Sequence, residues 1–269
     1  MKQTILGLRA ETSIHAGTGQ NSGIIDMPIQ REAHTNYPCI FGSAVKGAFR
    51  AHAEICAAWG KGEKTKAVFG SADQDGNASP IAMTDARLLL LPVRSLTGHF
   101  KLVTCPAILK RLQGDMLMMG MKVGWSVPVV EAQQVCSGSE GDIFLEEFKF
   151  QQVNTDLSAI IASIESFGVE NIDAQFLIMD NDDFAWFAKN ATAVTPHIAI
   201  DSETKIVKTG ALWYEETLPS DALLYTMLMG KKYFVDQVID MFKDKPFVQI
   251  GGNETVGMGW CKVREVSHV

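Results

Sequence analysis

A stretch near the carboxyl end, Gln249-Ile250-Gly251-Gly252-Asn253-Glu254-Thr255-Val256-Gly257-Met258-Gly259-Trp260, sets the strongest limit on how this chain folds. Four glycines fall within nine residues, between apolar runs at 246–250 and 260–266. A glycine pair, a polar trio and Gly-Met-Gly can continue neither a helix nor a strand, because glycine gives up too much backbone freedom in either. The segment is therefore a loop whose backbone reaches φ > 0 and comes close to other groups. Such loops cradle phosphates with their N–H groups. A tight hairpin loop in which glycine only relieves crowding has the same composition. The stretch alone leaves both readings open.

The rest of the chain supplies the elements around it. Gln3 to Ser13 alternates apolar and polar residues and reads as a strand. Residues 14–36 hold Gly17, Gly19, Gly23 and Pro28 without periodicity and read as a long loop, a class that tends to be functional or disordered. Ser43 is expected to cap a helix running to about Ala58, with Val45, Ala48, Phe49, Cys56 and Trp59 on its apolar stripe. A strand is expected over Ile81–Leu91, a short helix from Pro106 to Leu112, and a strand over Val123–Val130. Asp156 is expected to cap an amphipathic helix carrying Leu157, Ile160, Ile161, Ile164 and Phe167, which Gly168 ends. Phe176–Met179 reads as a buried strand, and 197–201 with 210–216 as a β-hairpin. Leu223–Met229 is apolar and fits helix or strand. A helix over Lys232–Phe242 stops before Pro246, and Gly259–Val266 is the last strand. A strand, a helix, strands, a helix and a strand, with insertions between, fit an α+β chain with a ferredoxin-like βαββαβ core.

Several side chains in this frame carry chemistry. Lys46 and Arg50 stand one helical turn apart, near a helix N-terminus that begins at Gly42 and Ser43. That is a seat for backbone phosphate, or equally a solvated basic pair salted to Glu54. Asp26 is the only acid between Gly19 and Pro28. Loop aspartates commonly serve turns. A lone carboxylate can also cleave RNA, by helping to hold a divalent metal or by taking the proton of a 2′-hydroxyl that attacks phosphorus. Glu32, six residues on, joins it only where the loop folds back. His15 fits an acid–base group, an RNA contact or a polar residue at a strand end.

Three further blocks fix the reading. The first is His15-Ala16-Gly17-Thr18-Gly19 with Ile25-Asp26-Met27-Pro28-Ile29-Gln30-Arg31-Glu32. The second is Pro38-Cys39-Ile40-Phe41-Gly42-Ser43-Ala44-Val45-Lys46-Gly47-Ala48-Phe49-Arg50. The third is Pro196-His197-Ile198-Ala199-Ile200-Asp201 with Gly210-Ala211-Leu212-Trp213-Tyr214-Glu215-Glu216-Thr217-Leu218-Pro219. Together with the glycine loop they resemble the RAMP superfamily of CRISPR proteins, and most of all the repeated backbone subunit of the type III-B (Cmr) RNA-guided effector. The resemblance covers residues 1–60, 195–220 and 246–264.

It implies one RAMP domain over 1–269: a ferredoxin-like (RRM-like) palm, large insertions at about 60–190, and a projecting thumb β-hairpin at about 195–220. It implies that Ser43, Lys46 and Arg50, with Gly251, Gly252, Gly257 and Gly259, hold CRISPR guide RNA. Asp26 would cut the complementary target RNA at regular intervals, once per copy, with a divalent metal, Mg2+ or Mn2+, at its carboxylate. His15 joins it as a catalytic candidate, and Tyr214 and Glu215 are candidates for completing the site of a neighbouring copy. Met27, Ile198 and Leu212 would wedge between bases. The implied partners are further copies head to tail and the other Cmr subunits. Two other readings remain: a structural guide-RNA-binding subunit that does not cut, distinguished by the role of Asp26, and a small-molecule enzyme with a phosphate loop, for which no further nucleotide motif speaks.

A net charge of −7 looks wrong for a nucleic-acid binder. Its distribution resolves part of the conflict: residues 140–183 hold eleven acids against one base, a local −10, and the remainder is +3. Nucleic acid responds to local potential, so the acidic stretch belongs away from RNA, on a solvated face or against a basic neighbour. The five cysteines form no CxxC pair, which points to a reduced, cytoplasmic protein. No apolar run reaches the roughly 18 residues of a membrane helix.

Overall fold

The computed structural model describes residues 1–20, 23–71 and 78–266. The first half of the chain forms β1 (Lys2–Ala10), β2 (Cys39–Ile40), α1 (Gly42–Ile55), α2 (Glu63–Phe69), β3 (Ile81–Met83), β4 (Ala86–Arg94), β5 (Phe100–Thr104), α3 (Pro106–Met118) and β6 (Gln134–Ser137). The second half forms β7 (Gly141–Leu145), β8 (Phe148–Asn154), α4 (Ser158–Glu165), β9 (Phe176–Met179), α5 (Asn181–Asn190), β10 (Ala193–Ile200), β11 (Val207–Thr217), β12 (Leu223–Gly230), α6 (Lys232–Asp240), β13 (Phe247–Gln249) and β14 (Trp260–Glu265). This is an α+β architecture built on one large sheet.

The sheet runs β13-β14-β1-β12-β4-β5-β9-β6-β8-β7, with β2 beside β4 and β3 beside β12. Its first part, β14-β1-β12-β4, is antiparallel throughout. β1 and β12 are central and largely buried. Burial on both faces is why β12 is a continuous apolar run, and Thr4 to Leu8 of β1 are all buried despite the alternation expected there. The Leu223–Met229 run is therefore strand, with Leu8 opposite Leu224 and Ile5 opposite Met227. α6 packs on β1 and β12, and α1 lies against β3 and β13. Phe49 and His52 of α1 meet Phe242 at the end of α6, with ring centroids 4.8 Å apart in both pairs.

The second part of the sheet curls back. After β4 the chain at Ser95 bridges Leu145 of β7, Glu146 N–H donates to the Arg94 carbonyl at 2.9 Å, and Leu96 N–H donates to the Phe144 carbonyl at 3.2 Å. β10 and β11 form a separate two-stranded hairpin. One of its faces is exposed and apolar, with Ile198 opposite Leu212 and Pro196 opposite Tyr214.

Several expectations need correction. Ser43 does not cap α1. Phe41 occupies the cap position in an extended conformation, and the Asp85 carboxylate takes the Gly42 N–H at 2.7 Å. The Ile81–Leu91 run is two strands, both antiparallel to β12 and interrupted at Thr84 and Asp85. Val123–Val130 forms no strand. Val123, Trp125 and Val127 do alternate and pack on the core, but Pro128 has no N–H and no neighbouring strand pairs with the segment. α3 continues past Leu112 to Met118.

Candidate functional site

The glycine loop closes onto the segment after β1. Gly252 N–H donates to the His15 carbonyl at 2.8 Å, and Gly259 N–H to the Ser13 carbonyl at 2.9 Å. A Cβ at Gly251 would collide with the His15 carbonyl, and one at Gly259 with the Ile250 carbonyl; their φ values are +93° and +87°. These two positions are where the fold demands glycine. At Gly252 a Cβ would meet His15 Cδ2 at 3.4 Å and the His15 carbonyl oxygen at 3.7 Å, and Gly257 faces open space although its φ is +83°. The loop is thus a clamp on residues 13–16 as well as an exposed turn.

The base of the β10–β11 hairpin gathers the other sequence candidates. Asp26 Oδ2 accepts the Tyr214 N–H at 2.8 Å. The next residue continues the pairing: Met27 N–H donates to the Tyr214 carbonyl and Glu216 N–H to the Met27 carbonyl, both at 3.0 Å. Among the described residues Oδ1 of Asp26 has no hydrogen-bond partner. A cavity of about 440 Å³ opens beside it, lined by Gln20, Asp26, Met27, Gly210, Leu212 and Trp213. Asp26 and Tyr214 therefore meet within one chain.

Glu215 and Glu216 diverge. Glu215 accepts from Trp213 Nε1 at 2.7 Å and from Asn253 Nδ2 of the glycine loop. Burial pushes its carboxyl up, but the bonds from Trp213 and Asn253 more than offset this and hold it below the usual glutamate value. Glu216 is the most buried acid of the site. Its side chain takes the Ile29 N–H at 3.1 Å, Thr192 Oγ1 at 2.7 Å and the Arg31 guanidinium. Its carbonyl accepts from His15 Nδ1 at 2.8 Å. A carbonyl only accepts, so Nδ1 carries the hydrogen and Nε2 is the nitrogen left for proton exchange. His15 and Asp26 thus bind backbone groups two residues apart on β11.

Arg31, Glu216 and Asn253 were not singled out in the sequence, although each lies within a quoted motif. No local signal marks them, because Arg31 stands between Gln30 and Glu32 and Glu216 follows Glu215, and only the fold pairs the two buried charges. Gln30 is a further link, because its amide spans the Gly17 carbonyl (3.1 Å) and the Phe41 N–H (2.6 Å) at the start of α1. Glu32 is not available to Asp26: Arg111 Nη1 holds both its oxygens, at 2.6 and 2.8 Å.

Ser43, Lys46 and Arg50 lie on α1, whose contact with β13 places it next to the strand leading into the glycine loop. Ser43 is exposed. Arg50 is committed within the fold, through Nε to Glu54 at 3.0 Å and Nη1 to the Gly70 carbonyl at 3.1 Å. Burial, and then Arg50, lower the Lys46 ammonium pKa. Replacing both Lys46 and Arg50 by alanine is expected to weaken RNA binding for all sequences alike, since backbone contacts do not read bases. Titrations at several salt concentrations should show the slope of log affinity falling by roughly 0.7 per lost contact on single strands. An unchanged slope would leave the pair as a surface feature.

The donor set does not build a resident metal site. Asp26 offers a single carboxylate, and no group of three or more His, Cys, Asp or Glu side chains among the described residues is arranged to hold an ion.

Comparison with known proteins places the chain in a family. The RAMP superfamily matches residues 8–262. The CRISPR system Cmr endoribonuclease Cmr4 of Pyrococcus furiosus is 34% identical, over 98% of this chain and 95% of its own. The crystal structure of oligomeric Cmr4 from Pyrococcus furiosus superposes with a TM-score of 0.79 at 29% identity, covering 99% of this chain and all of that one. A chain in the cryo-EM structure of the type III-B Cmr-beta bound to cognate target RNA shares the fold, with a TM-score of 0.81 at 22% identity over 99% of this chain and 98% of its own. From the clamp of the glycine loop to the hairpin that holds Asp26, the chain belongs to the RAMP superfamily of CRISPR proteins.

Proposed function

We propose that this protein is the repeated backbone subunit of a type III-B CRISPR effector, and that it cleaves target RNA paired to a guide. The observation that carries the reading is Asp26: a carboxylate fixed by the Tyr214 N–H at the foot of an exposed hairpin, with a cavity beside it. The antiparallel β14-β1-β12-β4 order, with α1 and α6 as its crossovers, supports a ferredoxin-like palm. The apolar outer face of β10–β11 supports a thumb that inserts between bases. α1 and the glycine loop, adjoining through β13, are the proposed seat of guide RNA. The partners are further copies head to tail, a heterologous contact that leaves an open filament, and the other Cmr subunits. Five cysteines without a disulfide fit the cytoplasm.

The chemistry follows from Asp26. Its carboxylate accepts the proton of the target 2′-hydroxyl, the 2′-oxygen bonds to the adjacent phosphorus, and the bond from phosphorus to the 5′-oxygen breaks. A cyclic 2′,3′-phosphate and a 5′-hydroxyl result, the leaving oxygen taking up a proton. A divalent ion at Asp26, Mg2+ or Mn2+, would draw its remaining ligands from RNA phosphate and water, since no group of three or more His, Cys, Asp or Glu side chains among the described residues is arranged to hold it. The assembled complex is expected to cut an all-ribose target and to spare one with 2′-deoxynucleotides at the cut positions, while binding both. Equal cutting of the two targets, read on a denaturing gel, would overturn the reaction.

A further inference from the structure

Asn253 joins the glycine loop to the hairpin. It holds a left-handed conformation, φ +59°, and its carbonyl accepts from Val256 N–H at 3.1 Å and Met258 N–H at 3.2 Å. Its backbone is therefore fixed, and its short amide side chain suits the left-handed region. That amide donates to Glu215 Oε2. Glu215 Oε1 takes the Trp213 indole N–H at 2.7 Å, and Trp213 stacks on His197 across the hairpin, centroids 5.6 Å apart. Glu215 sits between the two residues whose N–H groups fix the cleavage loop: Tyr214 holds Asp26, and Glu216 holds the Met27 carbonyl. A shift of Glu215 moves both bonds.

We propose that Asn253 is a positioning residue, which through Glu215 makes the placement of the Asp26 carboxylate depend on the conformation of the glycine loop. The inference rests on the cleavage reading above. It gives the loop a second task beside seating RNA backbone, because a loop in its seated conformation aligns the carboxylate that cuts. Nothing in it requires Asn253 or Glu215 to touch the target.

The test uses the assembled complex with guide and target. Asn253→Gly removes the amide while keeping the left-handed backbone free of strain. Glu215→Gln sets two amides against each other, and Asn253→Asp sets two carboxylates against each other. Combining Glu215→Gln with Asn253→Asp reverses the hydrogen bond and keeps an acceptor for Trp213. Each single variant is expected to bind target with parental affinity and to cut it about 10–100-fold more slowly at saturation, the scale of a misplacement near 1 Å. The combined variant is expected to recover most of that rate. A loop that only seats RNA would lose affinity instead and keep its rate at saturation. Single variants cutting at the parental rate, or a combined variant no faster than either single, would overturn the positioning role. Failure of the parental complex to cut at all would instead overturn the cleavage reading, so the two failures are distinct. Should Asn253→Gly not assemble, the comparison of Glu215→Gln with the combined variant decides the matter.

Discussion

Asp26→Asn is expected to leave target RNA bound and to remove its cleavage. The substitution keeps size and shape, and the amide oxygen still accepts the Tyr214 N–H that the carboxylate accepts at 2.8 Å. It removes the negative charge and the basic lone pair. A positioned general base contributes about 10²–10⁴ in rate, so single-turnover cleavage by the complex should fall by about that much. Affinity should hold, because phosphate contacts dominate binding to nucleic acid. A gel shift paired with a time course on labelled target measures both. Cleavage near the parental rate would remove Asp26 from the chemistry and favour the reading of a purely structural subunit.

Arg31→Ala is expected to destabilise the protein more than any change on its surface. The Arg31 side chain is 14% exposed and that of Glu216 only 3%. Arg31 also donates to the Asn36 and Ala188 carbonyls, both at 2.8 Å. Its removal strips the buried Glu216 of its countercharge and takes a donor from the Ala188 carbonyl. Breaking such a pair costs about 3–5 kcal/mol, because an uncompensated charge stays buried. For a chain of this length that corresponds to a melting temperature lower by roughly 6–20 °C. Arg31→Ala combined with Glu216→Ala should cost less than the sum of the single changes, since the pair is coupled. Thermal unfolding of the four proteins tests this, and full additivity would mean that the two side chains do not act together.

The parts of this architecture that could be read from the chain are those governed by local pattern. The helix expected after Asp156, the Phe176–Met179 strand and the helix expected over 232–242 follow from the spacing of apolar residues, and the structure places α4, β9 and α6 there; α4 is shorter, Ser158–Glu165, with Leu157 rather than Asp156 at its cap position, and α6 ends at Asp240. The Ser43 cap failed because Asp85, more than forty residues away, takes the helix N–H instead. No local signal announces a cap that arrives from the break between two distant strands. Val123–Val130 failed for a related reason: alternation marks a half-buried segment, but only a neighbour with free ladder groups makes it a strand. The site behaves the same way. Asp26 stands out because it is the only acid between Gly19 and Pro28, whereas Glu216 and Arg31 look like ordinary charges until the fold brings them together. The glycine loop was legible as a loop, yet which glycines are obligatory depends on the His15 and Ile250 carbonyls.

The bridge between Ser95 and Leu145 has a bearing on how copies of this chain associate. An open sheet edge is a template for another strand and favours uncontrolled stacking. Here β7 is bonded along its outer side by residues 94–96, and the opposite edge, β13, is only three residues long. Neither offers a long ladder to a passing chain. For a protein expected to repeat along a thread of RNA, that leaves length to be dictated by side-chain fit and by the thread. It also lowers the hazard of lateral clumping while unassembled copies accumulate.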